Sequence, residues 1–290
     1  MSFDRRHFIK LAGLGMSGLL LSPQDALASG GTEAENAMAM LYDTKRCIGC
    51  RACQNACKDW NGNDVEPDPA GLYDAPMELS ADTWTIIELH QGDGERSFVK
   101  HQCMHCLEPA CASVCPVSAL EKTPEGPVVY HANRCIGCRY CMMACPFRVP
   151  KYNWENPLPL IKKCTFCAER QAAGLEPACV EACPTDAIVF GRRDELIAEA
   201  HRRIQAEPEK YVDHVYGEHE AAGTSALYLS HVPFEKLGFP TLDAQPITAR
   251  SEAIMSLAPA IFGGAVVLAS GIYWLTGRRA KMDAPGEEGE

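Results

Sequence analysis

Residues 46–57 read RCIGCRACQNAC, and residues 134–145 repeat the phrase almost letter for letter as RCIGCRYCMMAC. Each copy carries four cysteines in the pattern C-x2-C-x2-C-x3-C: Cys47, Cys50, Cys53 and Cys57 in the first, Cys135, Cys138, Cys141 and Cys145 in the second. Two looser quartets complete the set of sixteen cysteines. Cys103, Cys106, Cys111 and Cys115 widen the middle gap to four residues; Cys164, Cys167, Cys179 and Cys183 widen it to eleven.

Sixteen cysteines in 290 residues exceed what packing needs, so the thiols are committed to metal or to disulfides. Three thiolates spaced two residues apart can wrap three corners of one iron-sulfur cube. The fourth, often followed by proline, leads into a helix and in two-cluster ferredoxins ligates the other cube. Pro116, Pro146 and Pro184 follow three of the four closing cysteines, with Lys58 in that place after Cys57. The pattern points to four [4Fe-4S] clusters. Zinc is one rival, but it calls for two separated pairs of ligands. Disulfides are the other, and bridges between cysteines so close in sequence are geometrically awkward.

The ends of the chain address a membrane. MSFDRRHFIKLAGLGMSGLLLSPQDALASG places Arg5 and Arg6 before an apolar run and ends it with Ala26-Leu27-Ala28, the layout of a twin-arginine signal over residues 1–28. Gly13 to Gly18 match G-x-G-x-x-G, but no strand precedes them, so the match carries no dinucleotide site. Ala253 to Thr276 hold 24 residues without a charge, enough for a membrane-spanning helix, which needs about 20 residues. Arg278, Arg279 and Lys281 follow at once, so the positive-inside rule puts the C-terminus in the cytoplasm and the bulk of the chain on the periplasmic side. Ser256, Ala260 and Gly264 form a short small-residue stripe on that helix, and Pro259 is expected to bend its first turns. The tail DAPGEEGE reads as disordered. Twin-arginine export of folded, loaded protein reconciles free thiolates with an oxidising compartment.

A formal net charge of -11, with Lys+Arg 27 against Asp+Glu 38, argues against nucleic acid as a partner. No nucleophile elbow, phosphate loop or metalloprotease helix occurs outside the signal, so no catalytic residue is assigned. Short strands are expected at 127–130 and 187–190 as parts of ferredoxin-like βαβ pieces, and another at 81–88. A helix is expected over 194–207 with Asp194 at its cap and Pro208 at its end, and residues 209–250 as a segment wrapping the body. His105 is expected to pack or hydrogen-bond near a cluster; Trp60, Tyr140 and Phe147 to exclude water beside ligands; and Arg51 and Arg139 either to offset cluster charge or to form a solvated face.

The runs QCMHCLEPACASVCPVSAL, RCIGCRYCMMACPFRVPKY, EPACVEACPTDAIVFGRRDEL and VPFEKLGFPTLDAQPITARSE resemble the iron-sulfur subunit of membrane-bound respiratory oxidoreductases, most of all the HybA-type subunit of periplasmic nickel-iron hydrogenases. YDAPMELSADTWTIIE and CIGCRACQNACKDWN also resemble the beta subunit of formate dehydrogenase N, the alternative. The resemblance implies nested quartets, first with fourth and second with third. It assigns one cluster to Cys47, Cys50, Cys53 and Cys183, a second to Cys164, Cys167, Cys179 and Cys57, a third to Cys103, Cys106, Cys111 and Cys145, and a fourth to Cys135, Cys138, Cys141 and Cys115. It implies, as partners, a periplasmic catalytic oxidoreductase subunit and an integral membrane subunit that reacts with quinone.

The fold class expected is therefore α+β: tandem, nested ferredoxin-like domains with four [4Fe-4S] clusters, plus one C-terminal transmembrane helix. The expected divisions are the signal (1–28), the four-cluster region (41–192), a helix and wrapping segment (193–250), the transmembrane helix (251–277) and a disordered tail (278–290).

Overall fold

A computed structural model describes residues 37–65, 78–92, 94–154 and 160–282. The expected signal, residues 1–28, lies outside them, as does the last part of the expected tail, 283–290. The described residues up to Ala244 form one compact unit and those from Gln245 another.

The first unit is built around a three-stranded sheet in which β1 (Met38–Asp43) pairs antiparallel with β8 (Ile188–Arg192) and parallel with β9 (Ala226–Leu229). Every residue of β1 after Met38 is buried, as a central strand covered on both faces requires. On one face lies α6 (Arg193–Ala206), whose Leu196, Ala200 and Ile204 pack on Ala39, Leu41, Leu227 and Leu229. The spacing of these three positions puts them on one stripe of the helix. Asp43, fully buried at the end of β1, accepts from Arg203 Nη1 at 3.0 Å and from the Tyr211 hydroxyl at 2.9 Å, fixing the helix against the sheet.

Around this sheet stand three hairpins: β2 (Ile86–Gly92) with β3 (Glu95–His101), β4 (Leu120–Lys122) with β5 (Val128–Tyr130), and β6 (Lys151–Tyr152) with β7 (Ile161–Lys162). All three are antiparallel, so the expected βαβ pieces are hairpins flanked by short helices, and among the described residues only β1 with β9 is a parallel pair. The short helices are α1 (Ala52–Asn61), α2 (Ala110–Ser113), α3 (Tyr140–Ala144), α4 (Ala168–Ala172) and α5 (Ala178–Glu181).

Several expectations are corrected in detail. The strand expected from Ala81 starts only at Ile86. Before it Ser80 Oγ accepts from the amides of Asp82 and Thr83, and the Trp84 indole donates to the Ala81 carbonyl, a turn that side chains stabilise in place of a ladder. Asp194 is not the cap: Arg192 holds that place, and the Asp194 carboxylate sits in the first turn, where it pairs with the Arg192 guanidinium. The segment 209–250 does not merely wrap. It supplies β9 and an aromatic cluster in which the Tyr216 and Phe239 rings lie 4.7 Å apart and Tyr228 and Phe239 4.9 Å apart.

The second unit holds α7 (Ala249–Met282), with a stretch from Ser251 to Arg279 that is long and apolar enough to cross a membrane and contains an 18-residue window of mean hydropathy 1.9. The helix runs beyond residue 277 into the expected tail. Arg278 and Arg279 are good helix formers, and their positive charge complements the negative end of the helix dipole.

Candidate metal centres

The repeated phrase folds twice into one local form. Gly49 and Gly137 take left-handed φ values of 71° and 70°, and Arg51 and Arg139 follow at 59° and 66°, each immediately before a helix. That sharp loop turns backbone amides inward: the Gly49 amide donates to Cys47 Sγ at 3.4 Å, and at the same offset the Phe166 amide donates to Cys164 Sγ at 3.4 Å. Gly49 is held to glycine twice over, since a Cβ there would stand 2.3 Å from the Phe98 ring. A second regularity follows the Cys-Pro pairs. Ser118, Arg148 and Asp186, each three residues past its closing cysteine, are all left-handed.

Helix packing decides which quartets meet. α1 packs on α5, which brings the first quartet against the fourth, and α2 packs on α3, which brings the second against the third. Cys47, Cys50, Cys53 and Cys183 line one cavity, walled by Ile48, Ile87 and Ile188. Cys57, Cys164, Cys167 and Cys179 line another, with Met40, Thr85 and Gln102. Cys115, Cys135, Cys138 and Cys141 line a third, with Val117, Leu120 and Ile161. The remaining four are also neighbours: Cys106 feels the charges of Cys103, Cys111 and Cys145.

The four groups follow one another in space. Cys53 and Cys179 join the first to the second through a shared core, Cys164 and Cys103 join the second to the third, and Cys141 and Cys111 join the third to the last. Cys50 and Cys138, at the two ends, are exposed.

These surroundings suit an iron-sulfur group. All sixteen cysteines are free, against the disulfide alternative. Among the described residues no three His, Cys, Asp or Glu side chains close on a single point; the quartets ring a space instead. Burial pushes the thiols of Cys53, Cys57 and Cys111 up to about 12 and those of Cys141 and Cys145 to about 11, so without a metal they stay protonated. Metal capture there is coupled to loss of those protons.

The other singled-out residues divide. His105 is buried, its Nδ1 accepts from the Val128 amide at 2.9 Å, and its ring packs on Phe166 at 4.5 Å. Burial, with Lys163 and Lys122 nearby, holds it well below the usual imidazole range, so it is a neutral packing group. Phe147 packs between two core clusters and lines an open cleft of about 770 Å³ with His101, Tyr228 and Phe239. Trp60 and Tyr140 are exposed, so they do not seal their cysteines from water. Arg139 stacks over Trp154 at 4.4 Å and Tyr152 at 5.1 Å.

Sequence reasoning missed a set of buried cations beside the cysteines. Lys58, Lys100 and Lys163 are all buried, and Lys122 is largely so. Lysine normally signals surface, and only the alternation of β3 hinted that Lys100 shares the inward side with Phe98.

Residues 95–193 match the 4Fe-4S dicluster domain family and residues 38–59 a 4Fe-4S binding domain family. The chain is 39% identical to the hydrogenase-2 operon protein HybA of Escherichia coli O157:H7, over 91% of this chain and 94% of that protein. It is 39% identical to the iron-sulfur subunit of the nitrate-inducible formate dehydrogenase of Escherichia coli K12, over 67% of this chain and 68% of that one. A protein of Nitratidesulfovibrio vulgaris is 41% identical over 97% of this chain and 79% of its own length.

Proposed function

The chain belongs to the family of iron-sulfur electron-transfer subunits of hydrogenase- and formate dehydrogenase-type complexes, and from that premise we propose that it holds four [4Fe-4S] clusters in line and serves a hydrogenase on the periplasmic side of the membrane. Like its relatives, it is a non-catalytic subunit.

The observation that carries the reading is the lining of the cavities, where three consecutive cysteines of one quartet stand with the closing cysteine of another. On this reading Cys47, Cys50, Cys53 and Cys183 hold one cluster, and Cys57, Cys164, Cys167 and Cys179 its neighbour. Cys103, Cys106, Cys111 and Cys145 hold the third, and Cys115, Cys135, Cys138 and Cys141 the fourth. Bound there, the clusters supply one-electron transfer. The chain's own residues fix their spacing, because each closing cysteine belongs to the helix or turn that also carries the adjacent group. The apolar walls of Ile48, Ile87, Ile161 and Ile188 exclude water, and the Gly49 and Phe166 amides temper the charge on Cys47 and Cys164. Exposed Cys50 and Cys138 make the two ends the places of exchange with partners.

The hydrogenase reading is favoured over formate dehydrogenase because the likeness spans 94% of the hydrogenase-2 protein and 68% of the formate dehydrogenase subunit. The apolar helix anchors the chain, with the basic residues after Thr276 on the cytoplasmic side, and the paired arginines near the N-terminus direct twin-arginine export. A catalytic subunit on the periplasmic face and a quinone-reactive membrane subunit complete the assembly.

Purified full-length protein is expected to carry about sixteen iron and about sixteen acid-labile sulfide. Stoichiometric zinc, or no sulfide, would refute the reading. Affinity capture from solubilised membranes should bring down hydrogen-dependent dye reduction; formate-dependent reduction in its place would move the chain to the other complex.

A further inference from the structure

Lys100 sits on β3 facing inward, and its side chain is wholly buried. Its ammonium donates to Thr85 Oγ1 and Gln102 Oε1, two neutral acceptors. Among the described residues no carboxylate pairs with it. Burying an ammonium with only neutral partners is costly, so a counter-charge close by is favoured. Both of its acceptors, Thr85 and Gln102, line the cavity of Cys57, Cys164, Cys167 and Cys179. The ammonium is therefore moored to the wall of that cavity. Cys53, from the neighbouring quartet, shares a core with Cys179.

We propose that Lys100 is a potential-tuning residue: a fixed buried positive charge that raises the reduction potential of the cluster held by Cys57, Cys164, Cys167 and Cys179. This rests on the four-cluster reading above. Reduction adds a negative charge to the cluster, and a cation at short range in a medium of low dielectric favours the reduced form. Burial pulls the Lys100 ammonium down; the sulfurs of Cys179, Cys53, Cys164 and Cys57, deprotonated once they hold a cluster, act the other way and keep its charge in place. The end groups, with exposed Cys50 and Cys138, have water to do the same work; an inner group has only what the chain places beside it.

The test is an EPR-monitored redox titration of purified full-length protein, with iron and sulfide counted in each variant. Lys100→Met and Lys100→Gln remove the charge, and Lys100→Gln keeps a donor for Thr85. With full iron content, both are expected to shift downward the midpoint potential of this cluster and of the adjoining one that Cys53 helps to hold, and to leave the other two in place, whereas Lys100→Arg stays near wild type. Unchanged potentials in either neutral variant with full iron overturn the proposal. Loss of iron from all three variants, Lys100→Arg included, overturns it too, because the residue then serves folding. Loss from both neutral variants with retention in Lys100→Arg supports it, since charge is what separates them. A wild-type protein without about sixteen iron refutes the four-cluster reading instead, a distinct result.

Discussion

In the first copy of the repeat, the helix that begins at Ala52 runs through Cys57 to Asn61; in the second, the helix that begins at Tyr140 stops at Ala144, one residue short of Cys145. Up to the third cysteine the two copies match closely in backbone, with the same left-handed glycine and arginine. They part at one position. Pro146 forces Cys145 into an extended conformation, φ -81° and ψ 113°, and ends the helix. Lys58 lets its helix continue, and its buried ammonium then donates to the carbonyls of Asp64 and Asp82, at 2.7 and 3.0 Å, and to Thr83 Oγ1 at 3.0 Å. One copy is thus closed off at its last cysteine, and the other is tied into the long insert that follows. The comparison teaches that the cysteine spacing fixes the loop, while the residue after the last cysteine decides what the loop is attached to.

The strongest way to break that comparison is to remove the closing cysteine of each copy. Cys57→Ser should cost the cluster shared with Cys164, Cys167 and Cys179, and Cys145→Ser the one shared with Cys103, Cys106 and Cys111. Each would lower the iron count by about four per protein, and EPR should show the loss away from the quartet that was mutated. Loss of the mutated quartet's own cluster would contradict the nested assignment.

Exchanging the divergent residues should come next. Lys58→Pro places a proline inside α1, removing a helix hydrogen bond and clashing with the preceding turn, at about 3 kcal/mol or more. Thermal unfolding of the assembled protein should show a clearly lowered midpoint, with iron loss beginning in the first pair of clusters. Pro146→Lys should cost far less, since nothing requires the helix to extend.

Gly49→Ala sharpens the shared part. A left-handed alanine costs about 1–2 kcal/mol, and the Phe98 ring 2.3 Å from the new Cβ must also move. Gly137→Ala carries the dihedral cost, and the drop in thermal midpoint for each variant measures both. The smallest effect expected is that of Arg139→Ala, which removes stacking on Trp154 and Tyr152 worth about 0.5–1 kcal/mol at an exposed site. A double-mutant cycle with Trp154→Ala reads it directly.

Much of the site was legible before any fold was known. Covalent spacing sets how many thiols can face one group, so the quartets and the iron-sulfur class they bind read directly from the cysteines. The strand at Val128 and the helix after Arg192 followed from alternation and from the 3.6-residue stripe. Illegible were β1 and β9, short apolar runs that become strands through pairing with distant segments, β1 with both β8 and β9, and the inward lysines, whose usual surface preference is overridden beside the buried cysteines.

The sequence by itself determined the number of quartets, the left-handed turn that the glycine of each C-I-G-C phrase permits, the helix end set by Pro146, and the long apolar helix near the C-terminus. All of these act over a few neighbouring residues, where bond geometry and local dihedral preference dominate. Only the tertiary structure decided which quartets share a cavity, in what order the cavities follow, and which side chains stand between them. Those depend on α1 packing against α5, α2 against α3, and Lys100 turning inward toward cysteines up to 79 positions away, at Cys179. Contacts at such separations are chosen by burial and charge balance over the whole unit, which no local spacing rule contains.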